Sequence, residues 1–131
     1  MFVDASAIVA ILTREDDADE LSARFARAER PVTSPIAIFE ATAAIVRKKA
    51  CSHDTAREIV ARFLVLADID VVPITERDSD LAVLALERFG KGRHRGKLTM
   101  GDCFAYACAR RHGLPLLFKG DDFSQTDIEA A

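Results

Sequence analysis

Hydrophobic and polar positions follow two rhythms along this chain. The helical rhythm is clearest where Ala56, Ile59, Val60, Phe63, Leu64 and Ala67 recur at i, i+3, i+4 and i+7, with Ser52 ahead of them as an N-cap. Four apolar segments lack that period and are too short for helices. "MFV" at the start, "PVTS" at 31–34, "IDVVPI" at 69–74 and "LPLLF" at 114–118 read as short strands, the third of them buried. Helical pattern fills the intervals. "ASAIVAILTR" follows the first strand directly, and "DDADELSARFARAE" places Leu21, Phe25 and Ala28 on one face before Pro31 ends it. "PIAIFEATAAIVRKK" opens with Pro35 in its first turn. Thr75 and Asp78 make a capping-box start for a helix carrying Leu81, Leu84, Ala85 and Phe89, which Gly90 stops. A last helix runs from Gly101 to His112, and Gly113 ends it.

Strands that alternate with helices predict an α/β domain with a small, mainly parallel central sheet flanked by helices on both sides. No repeat or linker interrupts the 131 residues, so one domain over 1–131 is expected. A domain of this size buries roughly two-thirds of its unfolded surface and needs no disulfide or structural metal. The three cysteines, Cys51, Cys103 and Cys108, have no CxxC spacing and read as small core or surface residues. The apolar run from Ala5 to Leu12 is too short to cross a bilayer and is preceded by Asp4 instead of a basic flank, so a cytoplasmic location without membrane contact is expected. A net charge of −3 excludes a protein coated for nucleic acid, though not a local basic patch.

Three acids sit alone in apolar surroundings. Asp4 is the only charged residue between Met1 and Thr13, Glu40 between Pro31 and Val46, and Asp102 between Leu98 and Ala109. Removing such a group from water costs several kcal/mol unless something compensates it. Asp4 and Asp102 are each placed to cap the helix that follows. Glu40 lies more than a turn inside its helix, where no backbone N–H is free, so capping does not account for it. A common explanation covers all of them. Asp4 follows the first strand and Asp121 with Asp122 follow the last, so a parallel sheet brings them out at the same carboxyl edge, where open α/β sheets bind ligands. If the helices bearing Glu40 and Asp102 reach the same place, the clustered carboxylates require a divalent cation. Oxygen-only donors suit Mg2+ or Mn2+, and an acidic, metal-filled pocket suits phosphodiester hydrolysis by metal-activated water.

The motifs in their order resemble the PIN-domain ribonucleases, specifically the VapC-type toxins of toxin–antitoxin pairs. "FVDASAIVAIL", Glu40 in "SPIAIFEATAAIVRK", "LTMGDCFAYACAR" and "LPLLFKGDDFSQTDI" carry that resemblance over nearly the whole chain. It implies a compact α/β fold and a Mg2+- or Mn2+-dependent endoribonuclease that cuts single-stranded regions of RNA. It implies also a homodimer, and a cognate VapB-like antitoxin inserting into the groove near the site. Asp4, Glu40 and Asp102 match the three principal metal-site acids, and Asp122, before Phe123, matches the fourth with Asp121 in reserve. Ser6 matches a hydroxyl residue that hydrogen-bonds the cluster, and Thr99 stands where related sequences usually carry Asn.

Lys91, Arg93, Arg95 and Lys97 lie in a glycine-punctuated loop just before Asp102 and are expected to hold RNA phosphates, against the simpler reading of a solvated charge run. Tyr106 and the eight Phe residues follow element faces and are expected in the core. Two alternatives come from other classes. A Mg-dependent phosphoacceptor or phosphatase-like domain also places an Asp after its first strand, but wants a second acid where Ser6 stands. A non-catalytic PIN-like binding module would keep the fold without the activity.

Overall fold

The computed structural model describes residues 1–92 and 97–131. Its elements run β1 (Phe2–Val3), α1 (Ala5–Thr13), α2 (Ala18–Phe25), β2 (Val32–Thr33), α3 (Pro35–Lys49), α4 (His53–Leu66), β3 (Asp70–Val71), α5 (Glu76–Phe89), α6 (Met100–His112) and β4 (Leu116–Leu117). Helix starts are set by short polar side chains. Ser34 accepts from the Ala37 N–H at 3.3 Å with Pro35 opening α3, and Ser52 accepts from the Thr55 N–H at 3.1 Å at the head of α4. Asp78 accepts from both the N–H and the hydroxyl of Thr75 at 2.7 Å, closing the capping box of α5. At the other end, Gly113 takes the left-handed conformation (φ 64°) that stops α6.

The four strands form one parallel sheet in the order β3-β2-β1-β4, with Phe2 opposite both Val32 and Leu116. Adjacent residues of a strand point to opposite faces, and this divides the core in two. Val3 and Leu117 pack with Ile8, Leu21, Ile45, Val60 and Leu64 of helices α1 to α4. Phe2 and Leu116 pack on the other face with Ala82, Ala85, Tyr106 and Cys108 of α5 and α6. The chain steps outward from β1 to β2 to β3 and then crosses back to place β4 on the far side of β1. Right-handed crossovers running in opposite directions put their helices on opposite faces, so this reversal is what gives the sheet its two helical layers. The expected architecture holds, and among the described residues every strand pair is parallel.

Three local expectations change. β3 was expected to be buried, yet Asp70 and Val71 are exposed because β3 is an edge strand and Arg30 pairs with Asp70 at 3.7 Å. Helix α2 stops at Phe25, several residues before Pro31, where Leu21 is buried and Phe25 meets Phe63 with ring centroids 6.5 Å apart. Phe39 leaves the core entirely at 73% exposure, one residue before Glu40. Among the described residues no helix is long and apolar enough to cross a membrane.

Candidate active site

The order β3-β2-β1-β4 reverses direction at β1, so the carboxyl ends of β1 and β4 border a crevice. Asp4 is the first residue beyond β1 and is 4% exposed. Its Oδ2 accepts from the Ser6 N–H at 2.9 Å and the Ser6 hydroxyl at 2.5 Å, which caps α1. The same hydroxyl accepts from the Lys119 N–H just past β4 at 3.0 Å. Ser6 therefore ties the two strand ends together through the carboxylate.

Asp102 enters from the first turn of α6. Its Oδ2 accepts from the N–H and the hydroxyl of Thr99, both at 2.7 Å, so Thr and Asp form a capping box that fixes the turn. Capping and clustering are thus compatible, since both bonds fall on one oxygen and leave Oδ1 without a hydrogen bond among the described residues. Glu40 arrives from the second turn of α3, where that helix meets α6. A side chain at Gly101 would overlap the Glu40 carboxyl, so the missing Cβ is what admits the acid.

Asp4, Glu40 and Asp102 line a single cleft of about 330 Å3 together with Ser6. Burial, and then the charges of Asp4 and Asp102, push the Glu40 carboxyl up to about 7. Asp4 is raised too: burial outweighs the lowering effect of its Ser6 bonds, and the charge of Asp102 adds to it. The fourth acid is peripheral. Asp122 does not line the cleft, but burial and then the charges of Asp102 and Asp121 raise its carboxyl. Asp121 is turned to Lys97 at 2.6 Å, which lowers its carboxyl instead. Of the two, Asp122 is therefore the one that shares the field of Asp102. Among the described residues, no three His, Cys, Asp or Glu side chains close to ligating distance of one point. The acids rim a cleft in which fewer than three described carboxylates reach any one point, and an ion that keeps several waters needs only one or two of them.

The donor set is all oxygen, from carboxylates and the Ser6 and Thr99 hydroxyls, and suits a hard cation. Cys103 adjoins Asp102, but burial and then that carboxylate push its thiol up to about 11, which leaves it protonated and uncompetitive as a ligand. Lys91 and Lys97 are exposed on either side of Arg93 and Arg95, which lie outside the described residues.

Several contributors escaped the sequence reading. Gly101 is one, and the far end of the cleft supplies others: Glu15, Arg47, Lys48 and Lys119. Glu15 pairs with Lys119 and, at 2.8 Å, with Lys48, and those two bonds hold its carboxyl down at about 2. The signal for Arg47 and Lys48 was present, since both fall on the face of α3 defined by Glu40 at i+7 and i+8.

The raised Glu40 carboxyl has a measurable consequence. Its neutral form favours the folded state fully below the ordinary value of 4.5, and that contribution is lost as pH rises through about 7. In chelator, Glu40→Gln is therefore expected to match the parent near pH 5 and to exceed it near pH 8.5. The gain is about 1 kcal/mol once solvent screening in the open cleft is allowed for, or about 2–4 °C in melting temperature. Equal melting temperatures at both pH values would show that Glu40 does not feel the other acids.

Comparison with known proteins identifies the family. The PIN domain family matches residues 1–129. Ribonuclease VapC of Mycolicibacterium smegmatis is 42% identical over 130 residues, covering 99% of this chain and 98% of that protein. Among solved structures, Mycobacterium tuberculosis VapC20, a sarcin-ricin-loop-cleaving toxin, aligns with a TM-score of 0.74 at 22% identity, over 99% of this chain and 97% of that one. A chain of a toxin–antitoxin complex from Klebsiella pneumoniae gives 0.69 at 16% identity, over 96% and 92%. At those identities the two structures establish the fold. The phosphoacceptor alternative is set aside by the match in sequence. Since family and relative both span essentially its whole length, the chain belongs to the PIN-domain family and, within it, to the VapC ribonucleases.

Proposed function

We propose that the protein is an endoribonuclease toxin, one domain over residues 1–131, that hydrolyses phosphodiester bonds in single-stranded regions of cellular RNA with Mg2+ or Mn2+. The observation that carries this reading is the gathering of Asp4, Glu40 and Asp102 around one cleft at the switch point of the sheet, with the Asp4 and Glu40 carboxyls raised by burial and by their neighbours. Asp4, Glu40 and Asp102 would supply carboxylates to the ion, one or two at any one position with waters filling the rest of its shell, and Asp122 would add negative charge from the edge. When bound, the ion supplies neutralising charge and activation of water for attack on phosphorus. Ser6 keeps Asp4 in place, Thr99 keeps Asp102 in place, and Gly101 gives Glu40 its position. Lys91, Arg93, Arg95 and Lys97 contribute phosphate contacts from the loop before α6.

Family membership supports a reading of the partners. A VapB-like antitoxin inserts into the groove near the site in the cytoplasm, and the toxin pairs as a homodimer. The pairing is supported by an exposed apolar patch on α5 and α6, where Val83 is 63%, Leu86 50% and Met100 68% exposed beside a groove of about 250 Å3.

The test is direct. Purified protein incubated with an end-labelled single-stranded RNA is expected to yield discrete internal fragments with Mg2+ or Mn2+ and none in chelator. An intact RNA under both conditions, or the same fragments in chelator, would overturn the proposal. Mapping fragment ends in cells after a brief pulse of expression then identifies the RNA that is cut.

A further inference from the structure

The cleft has two ends of opposite sign, and helix α3 runs between them. Glu40, Ala44, Arg47 and Lys48 all line it, at i, i+4, i+7 and i+8, which is one face of the helix. Seven residues advance about 10 Å along the axis. Helical side chains tilt toward the N-terminus, so a long side chain at Arg47 leans back over Ala44 toward Glu40, and the small Ala44 leaves that path open.

The three cations of the cleft are not equivalent. Lys48 is held by Glu15 at 2.8 Å, and Lys119 is shared between Glu15 and Asp17, the latter at 3.0 Å. Arg47 is exposed and has no anionic partner among the described residues. By formal charge the four acids Asp4, Glu40, Asp102 and Glu15 outnumber the three cations, so the fully ionised cleft is net negative and a divalent ion reverses the sign. An RNA strand entering it still meets carboxylates at one end. It gains most from a cation that is free to bond, and a guanidinium grips two phosphate oxygens at once.

We propose that Arg47 is a substrate-binding residue, which anchors a backbone phosphate of single-stranded RNA next to the one being cut. This rests on the ribonuclease reading above. The simpler role for Arg47 is to complement the helix dipole in the last turn of α3, but Lys48 and Lys49 serve that equally, and Lys49 does not line the cleft. Lys49→Ala is therefore the matched control, with the same loss of charge two residues away.

Binding of a labelled single-stranded oligoribonucleotide is measured from 50 to 300 mM salt in an Asp102→Asn background, which is expected not to cleave, with Mg2+ raised until the affinity no longer changes so that the weaker ion site is filled. Arg47→Ala is expected to raise Kd about tenfold at the lowest salt and to reduce the slope of log K against log salt by about 0.7, the loss of one single-strand phosphate contact. Lys49→Ala is expected to stay within about twofold with its slope unchanged. Arg47→Lys is expected to restore the slope but only part of the affinity, since it keeps the charge and loses the fork. In the cleaving protein Arg47→Ala raises KM with kcat within about threefold. Equal slopes for the Arg47→Ala and Lys49→Ala proteins would overturn the assignment. A parent that neither binds nor cuts RNA would instead overturn the ribonuclease reading and this assignment with it.

Discussion

Asp102→Asn is expected to slow RNA cleavage by roughly 10³-fold or more while leaving the metal-free protein at least as stable as the parent. The two halves follow from the two jobs this side chain does. Its Oδ2 closes the capping box with Thr99, and an amide oxygen accepts those bonds as well as a carboxylate oxygen does. What Asn removes is a charge that adds to the effect of burial in raising both Asp4 and Glu40. Losing it relieves repulsion in the empty cleft and removes an ion-binding group from the filled one. The same logic applies to Asp4→Asn, where Asn caps α1 as effectively as Asp.

Single-turnover cleavage and melting curves in chelator check this together. Metal at a hundred times its Kd should stabilise the parent by about 2.7 kcal/mol, and the variant much less. If the Asn variant fails to fold, Asp102 is a capping residue only. If it cleaves at the parent's rate, the acids are not the reacting centre.

How much of this could be read in advance is best seen at particular residues. The acids announced themselves because each carboxylate was isolated in an apolar run, and a buried charge needs a compensating reason. Helix boundaries at Pro35, Ser52, Thr75 and Gly113 were legible because caps act within a few residues of where they stand. The failures are all matters of tertiary placement. "IDVVPI" has a core composition, but β3 sits at the sheet edge, which strand order decides and local composition does not. Helix α2 stops where its contacts with the core stop, well short of the next proline. Asp4 and Asp102 invited a choice between capping and metal binding that the structure shows to be unnecessary, since a carboxylate has two oxygens.

Arg47 and Lys48 went unnoticed because nothing in the sequence says that Lys119 and Glu15, over a hundred residues apart, pair with each other and, through Glu15, with Lys48 beside the same cleft. Gly101 was hidden for a different reason. A glycine beside a helix start is ordinarily a backbone device, whereas here its value lies in what approaches it from α3.

Gly101→Ala is accordingly expected to separate stability from activity in the opposite direction to most helix substitutions. By intrinsic propensity Ala is favoured over Gly by up to about 1 kcal/mol, and the obstacle it meets is the far end of a flexible Glu side chain, which can swing aside at little cost. The melting temperature should therefore hold or rise by a few degrees. The swing displaces the Glu40 carboxyl, however, and a misplacement of about 1 Å in a reacting constellation costs on the order of 10² in rate. Cleavage should fall about a hundredfold, with RNA affinity within a few-fold of the parent. A fully active Gly101→Ala protein would mean that the position of Glu40 is immaterial to the reaction. The double variant sharpens the point. If Gly101 acts only by making room for Glu40, adding Gly101→Ala to Glu40→Gln should slow cleavage no further, because one interaction cannot be lost twice. Additive losses would place Gly101 in contact with something other than that carboxylate.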